Sequence, residues 1–233
     1  MNKPYVICHM TTSIDGKVTG DFLYRPECEK AIDIYYEINR AYKADGYACG
    51  RVTMEGSFTG GAKADLSKIS GSADENFDDF IADPAATFFA VAFDRKGTLG
   101  WKTSSISDED PGYDNAHIIE VLSKDTSPAY LEYLRKTKIS YIFAGNDDID
   151  IDIALKKLYS LFGMKKLLLE GGSIINGAFQ RADAIDELSL VVAPVIADKD
   201  SKPLFCDGTI KDFKLKGVTN YPNSVIWLNY VKK

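Results

Sequence analysis

Apolar residues along this chain fall into short runs separated by polar and glycine-rich stretches. Residues 4–10 (PYVICHM) form a run of strand length that feeds a polar loop, Thr11-Thr12-Ser13-Ile14-Asp15-Gly16-Lys17, with a turn signal at Asp15-Gly16. Between residues 27 and 43 the apolar positions Ala31, Ile32, Tyr35, Ile38 and Tyr42 recur at intervals of three and four, which predicts an amphipathic helix. Residues 47–49 read as a short strand, and a helix is expected to begin near Val52. Residues 59–80 are polar and glycine-rich and predict a long surface loop, with one helical turn at most near its end. Strands are expected at 87–93, 117–122, 140–144 and 166–170, and helices at 128–137, 152–162 and 173–181. Pro128 suits the first turn of its helix. Beyond residue 181 the pattern changes: 186–196, 213–218 and 224–231 read as strands with no helix between them. Alternating strands and helices followed by antiparallel strands predict an α/β fold with a mixed, mostly parallel sheet and flanking helices. With no repeat, low-complexity tract or clear linker, residues 1–233 read as one domain.

The chain has 233 residues, 45% of them hydrophobic and 27% charged, which is enough for a sizeable core. A net charge of −6 argues against general nucleic-acid binding, which needs a basic surface, but leaves a nucleotide cofactor open. Cys8, Cys28, Cys49 and Cys206 are scattered, and His9 and His117 are the two histidines, so no metal site is expected. No signal-like segment or run of about 18 apolar residues is seen, so the expectation is a cytoplasmic, reduced protein without membrane association.

Two distant stretches share one pattern: apolar strand, glycine turn, helix start. The first is Gly46-Tyr47-Ala48-Cys49-Gly50-Arg51-Val52-Thr53, and the second is Leu167-Leu168-Leu169-Glu170-Gly171-Gly172-Ser173-Ile174. A helix start after glycine offers unpaired N–H groups and the positive end of the helix dipole, a place for phosphate. Two of them suit a dinucleotide. Arg51 stands where a cation opposes the helix dipole, a conflict that a bound anion would remove; its guanidinium suits the 2′-phosphate of NADPH, and a solvated surface arginine is the plain alternative. Thr53 can offer a hydroxyl and an N–H to phosphate, or be an ordinary first-turn residue. Gly171 and Gly172 permit close backbone approach, although Gly-Gly also makes plain turns; Ser173 can cap the helix or donate to ligand. The small residues that follow suit a helix that packs closely.

Thr12-Ser13-Ile14-Asp15-Gly16, Gly50-Arg51-Val52-Thr53, Leu169-Glu170-Gly171-Gly172 and Asp186-Glu187-Leu188 through Ala193-Pro194-Val195 occur in an order and spacing that resembles one family. It is the reductase domain of the bifunctional riboflavin-biosynthesis deaminase/reductase, which has a dihydrofolate reductase-like fold. The resemblance runs from Tyr5 to Val231 and implies an NADPH-dependent reductase, usually a homodimer, acting on a small pyrimidine- or pterin-like substrate. It implies cofactor contacts at Thr12, Asp15, Gly50, Arg51, Thr53, Ser57, Gly171, Gly172, Ser173 and Ile174. It also implies substrate contacts at Glu170 and, with a one-residue gap, at Arg40. No zinc deaminase signature precedes the reductase segment. In the riboflavin enzymes an Asp-Asp-Pro-x-Leu-x-x-Arg segment follows the Gly-x-x-x-Thr helix and helps bind the substrate phosphate. Here residues 56–63 (GSFTGGAK) contain no arginine, which puts the substrate in question and leaves the cofactor untouched.

Asp15 is as well suited to forming a turn as to touching ligand. Glu170, at a strand's C-terminal end, lies where open α/β sheets place their ligands, and a structural hydrogen bond is the competing role. Asp33 and Glu170 are the candidate catalytic acids, although Tyr36 and Glu37 beside Asp33 suggest a solvated face. The alternatives to a riboflavin-type reductase are a dihydrofolate or pterin reductase and an NADPH-binding protein without turnover, such as a redox sensor or degenerate paralogue.

Overall fold

The computed structural model describes residues 2–69 and 77–233. In chain order the elements are β1 (Tyr5–Thr12), α1 (Pro26–Tyr42), β2 (Gly46–Gly50), α2 (Arg51–Ser57), β3 (Phe89–Phe93), β4 (His117–Leu122), α3 (Pro128–Thr137), β5 (Ser140–Phe143), α4 (Ile151–Phe162), β6 (Lys166–Leu169), α5 (Ser173–Arg181), β7 (Glu187–Val192), β8 (Phe213–Asn220) and β9 (Ile226–Lys232). The expected mixed, mostly parallel α/β class with flanking helices and antiparallel C-terminal strands is what forms. Two short 3₁₀ turns, Asp21–Tyr24 and Pro222–Ser224, add to the expected elements, and among the described residues no α-helix separates the C-terminal strands. The expected strand at 186–196 ends at Val192; Val195 N–H folds back onto the Ala193 carbonyl around Pro194, which has no N–H for a ladder. Of the expected 59–80 loop, residues 70–76 lie outside the described residues. Its first part is irregular, as expected, and is pinned by main-chain bonds from Ala64 to Thr98 and from Gly100 to Ala62.

The described residues form two compact units. One comprises Met1–Pro4 and Asp45–Lys165. Its strands β2, β3, β4 and β5 pair in parallel, each with the next. Every residue of β3, β4 and β5 is buried, the continuous apolar pattern expected of parallel strands covered on both faces. Helix α3 starts at the Ser127 cap, whose side chain accepts from Tyr130 N–H, and α4 at Asp150, which accepts from the N–H groups of Asp152 and Ile153.

The other unit comprises Tyr5–Ala44 and Lys166–Lys233. In it β1 pairs in parallel with β6 on one side and β7 on the other, and β9 then pairs antiparallel with both β7 and β8. Helix α1 buries Cys28, Ala31, Ile34 and Ile38 in a cluster with Phe22, Val191, Ala193 and Val225. The buried face is therefore turned slightly from the one read in sequence, with Ile34 inside and Ile32 half-buried. Below this face, Glu187 is almost fully buried and accepts from Asn229 Nδ2 at 2.6 Å, Tyr42 OH at 2.7 Å and Tyr5 OH at 3.1 Å.

Candidate functional site

In the first unit β2 delivers the chain to Gly50, and α2 begins at Arg51. Gly50 adopts φ −73°, which any residue can take, so the turn itself does not demand glycine. Arg51 is half-buried, and its guanidinium forms an ion pair with Glu55 one turn along. The opposition between Arg51 and the helix dipole is thus met from within α2, and an anion is not required to relieve it. Thr53 is half-buried, while Ser57, the last residue of α2, is exposed. Val52 in the first turn is 66% exposed, an apolar side chain left facing solvent.

In the second unit β6 ends at Leu169, in register with Cys8 of β1, and Glu170 follows, 7% exposed. Glu170 Oε1 accepts from Asn39 Nδ2 of α1 at 2.7 Å. Burial pushes the Cys8 thiol up, and the Glu170 charge adds to it, so Cys8 is an inert core residue. The Gly171–Gly172 peptide is cis. Gly171 has φ +91°, so this position favours glycine on backbone grounds, while a Cβ there would press on the flexible end of Met10, 3.0 Å away. Gly172 precedes α5 and provides no side-chain cap for its first turn. Ser173 is buried, and its hydroxyl donates to the Pro203 carbonyl and lies 3.1 Å from Cys206 Sγ. The hydroxyl does not cap the helix and is engaged by Pro203, so what Ser173 can offer a ligand is its N–H. Ile174 is 66% exposed at the same helix start.

Thr12 closes β1 and is buried. In the loop after it, Asp15 accepts from Ser13 Oγ at 2.6 Å and Ala197 N–H at 3.0 Å, and these bonds hold its carboxyl below the usual range. Asp15 thus ties its own loop to Ala197, a structural use of the carboxyl. Asp33 is exposed and lies 3.7 Å from Lys30, the solvated arrangement its neighbours suggested. Arg40 is exposed, whereas its neighbour Asn39 is 4% exposed. His9 is buried, stacked on Tyr35 with ring centroids 4.3 Å apart, and hydrogen-bonded to Ser189 Oγ and the Tyr35 carbonyl. Burial lowers it to about 4, so it is neutral and structural. His117 bonds Ser140 Oγ at 2.8 Å.

Two buried polar residues escaped sequence reading. Asn39 lies four residues after Tyr35 on the apolar face of α1, and a polar residue on such a face was the available signal. Glu120 sits at the centre of β4, inside a run read as buried strand. Its Oε1 accepts from Trp101 Nε1–H and Tyr130 OH, and burial followed by the nearby Asp94 charge raises its carboxyl well above the usual range. Among the described residues no group of three or more His, Cys, Asp or Glu side chains could hold a metal ion, and no helix is long and apolar enough to cross a membrane.

The parts present suit a dinucleotide phosphate in the second unit: Gly171 and Gly172 carry no side chains, and the first turn of α5 has no side-chain cap.

A family model described as the RibD C-terminal domain matches residues 107–227. A 2,5-diamino-6-ribosylamino-4(3H)-pyrimidinone 5′-phosphate reductase of Aquifex aeolicus is 35% identical over 78 residues, which are 34% of this chain and 34% of that protein. The protein of the same description from Methanothermobacter thermautotrophicus is 28% identical over 92 residues, 39% of this chain and 42% of its own length. These matches thus span about a third to two-fifths of the curated relatives. A pyrimidine reductase-like protein of Corynebacterium diphtheriae has the same fold, with a TM-score of 0.70 and 18% identity over 100% of this chain and 93% of that one. The missing arginine in residues 56–63 therefore does not place the chain outside the group. That segment and the Gly50–Thr53 turn both precede the matched range.

Proposed function

Because the chain belongs to the RibD C-terminal domain family, we propose that it is an NADPH-dependent reductase converting a phosphoribosylaminopyrimidine to its ribityl form. The family match is the observation that carries this reading. NADPH supplies the hydride when bound. In the first unit the guanidinium of Arg51, with Thr53 and Ser57, would take the 2′-phosphate. In the second, the N–H groups of Ser173 and Ile174 beyond the bare Gly171-Gly172 turn would take the pyrophosphate, with Thr12 and Asp15 shaping the loop beside it.

Glu170 and Arg40 are the proposed substrate contacts. A carboxylate accepts hydrogen bonds, so Glu170 suits the amino and ring N–H groups that a diaminopyrimidinone and an aminouracil both carry. The curated relatives are described as reductases of the diamino compound, and the diamino compound is the substrate proposed here. Asp33 is exposed and paired with Lys30, so the proposed proton source is Glu170 or water. Nearly every residue of β8 is exposed, Leu215 and Val218 among them, and a second copy pairing there would make a homodimer.

The test is a fluorescence titration of the purified protein with NADPH and NADH, followed by assays with the diaminopyrimidinone and aminouracil ribosylamine phosphates. Micromolar NADPH binding, much weaker NADH binding and faster turnover of the diamino substrate support the reading. Binding without turnover of either compound would favour a nucleotide-binding protein, and no binding at all would remove the reductase assignment.

A further inference from the structure

Helix α5 carries a polar stripe where a packed helix ordinarily carries an apolar one. Ser173, Asn176, Gly177, Gln180 and Arg181 follow the spacing of one helical face, and all five meet residues 203–209. The Ser173 hydroxyl donates to the Pro203 carbonyl, and Asn176 Nδ2 donates to the Leu204 carbonyl at 3.2 Å. Cys206 N–H returns a bond to the Ser173 carbonyl at 3.0 Å. At Gly177 the helix comes so close that a Cβ would lie 1.8 Å from the Cys206 carbonyl oxygen. Gln180 is 5% exposed and holds Thr209 from both sides: its Nε2 donates to the Thr209 carbonyl, and its Oε1 accepts from Thr209 N–H at 2.7 Å. Arg181 adds donations to the carbonyls of Cys206 and Asp207 at 3.1 and 3.2 Å.

The same stretch of chain is sewn to the loop after β1. Leu204 N–H donates to the Gly16 carbonyl at 3.0 Å, and Val18 N–H donates to the Lys202 carbonyl at 2.9 Å. Lys202 N–H donates to Thr19 Oγ1 at 2.8 Å. Leu204 thus bonds the first turns of α5 through its carbonyl and the loop through its N–H. Neither partner can shift without dragging the other.

We propose that residues 201–209 are a strap that sets the amino end of α5 against the loop at residues 13–20, with Gln180 as its far positioning residue. The inference rests on the reading above, in which these two elements hold NADPH. Gln180 is seven residues from Ser173, about 10 Å along the helix axis, so it acts on the ligand only through the strap. The interaction is made of side chains bonding to main chain. It fixes the strap's path while leaving the strap sequence nearly free.

The experiment compares wild type with Gln180→Ala and Arg181→Ala, using NADPH and adenosine 2′-monophosphate as probes. The second probe carries only the phosphate assigned to Arg51. Arg181 is exposed, so its variant keeps the test open if Gln180→Ala fails to fold. The expected result is NADPH binding weakened about tenfold with adenosine 2′-monophosphate binding unchanged, as for a group displaced by a fraction of an ångström. Unchanged NADPH affinity in the folded variants would overturn the strap. Equal weakening of both probes would also overturn it, since that marks a general loss of structure. Wild-type protein that binds neither probe would show instead that the cofactor reading has failed, and the strap's role would fall with it.

Discussion

Replacing Gly177 by alanine puts a methyl carbon 1.8 Å from the Cys206 carbonyl oxygen. Carbon and oxygen in contact need about 3.3 Å, so the strap must retreat by roughly 1.5 Å. That displacement breaks the Cys206–Ser173 main-chain bond and the Arg181 bond to Cys206, about 1 kcal/mol each. It also strips the buried Ser173 hydroxyl of its acceptor, at about 1–3 kcal/mol. Alanine in a helix interior offsets about 1 kcal/mol of this through propensity. The net expectation is a loss of roughly 2–4 kcal/mol, read from urea unfolding at constant pH. Gly56→Ala in α2 is the matched control: a Cβ there meets nothing within 4 Å, so it should gain up to about 1 kcal/mol. If Gly177→Ala proved as stable as wild type, the close approach of strap and helix would be wrong.

Three further outcomes follow from buried or paired charges. Glu120 has its carboxyl raised by burial and Asp94, so its contribution to stability is present below the ordinary carboxylate range and is lost as pH rises; Glu120→Gln should flatten that decline in pH-dependent unfolding, and an unchanged slope would contradict it. His9 is lowered to about 4 from an ordinary 6.5, so its contribution is present above pH 6.5 and lost as pH falls through 4. That amounts to roughly 3 kcal/mol, and comparing acid unfolding of wild type with His9→Gln checks it. Arg51→Ala should weaken NADPH much more than NADH in a fluorescence titration, and equal losses would remove the 2′-phosphate role.

Most elements were legible because burial imprints a period on the sequence. The period of α1 and the mostly apolar runs of β3, β4 and β5 report how many faces each element buries. The small residues after Gly172 announced the close packing that Gly177 makes. Other features leave no such imprint. Strand order depends on pairing between distant segments, so neither β7 beside β1 nor β9 between β7 and β8 could be read. The strap is held by its main chain, which every sequence possesses, and its only trace is the polar stripe on α5. Sequence reasoning weighed Arg51 against the helix dipole and overlooked Glu55 one turn away, which supplies the neutralising charge. It also passed over Asn39 near the end of α1, the buried side chain that reaches Glu170.

The most direct test of the central claim is to mix the protein with NADPH and the 2,5-diaminopyrimidinone ribosylamine phosphate and identify the product. The account predicts NADPH oxidation that requires the substrate, with one ribityl product formed per NADPH consumed. NADPH left unoxidised, with the ribosyl compound recovered intact, would contradict it.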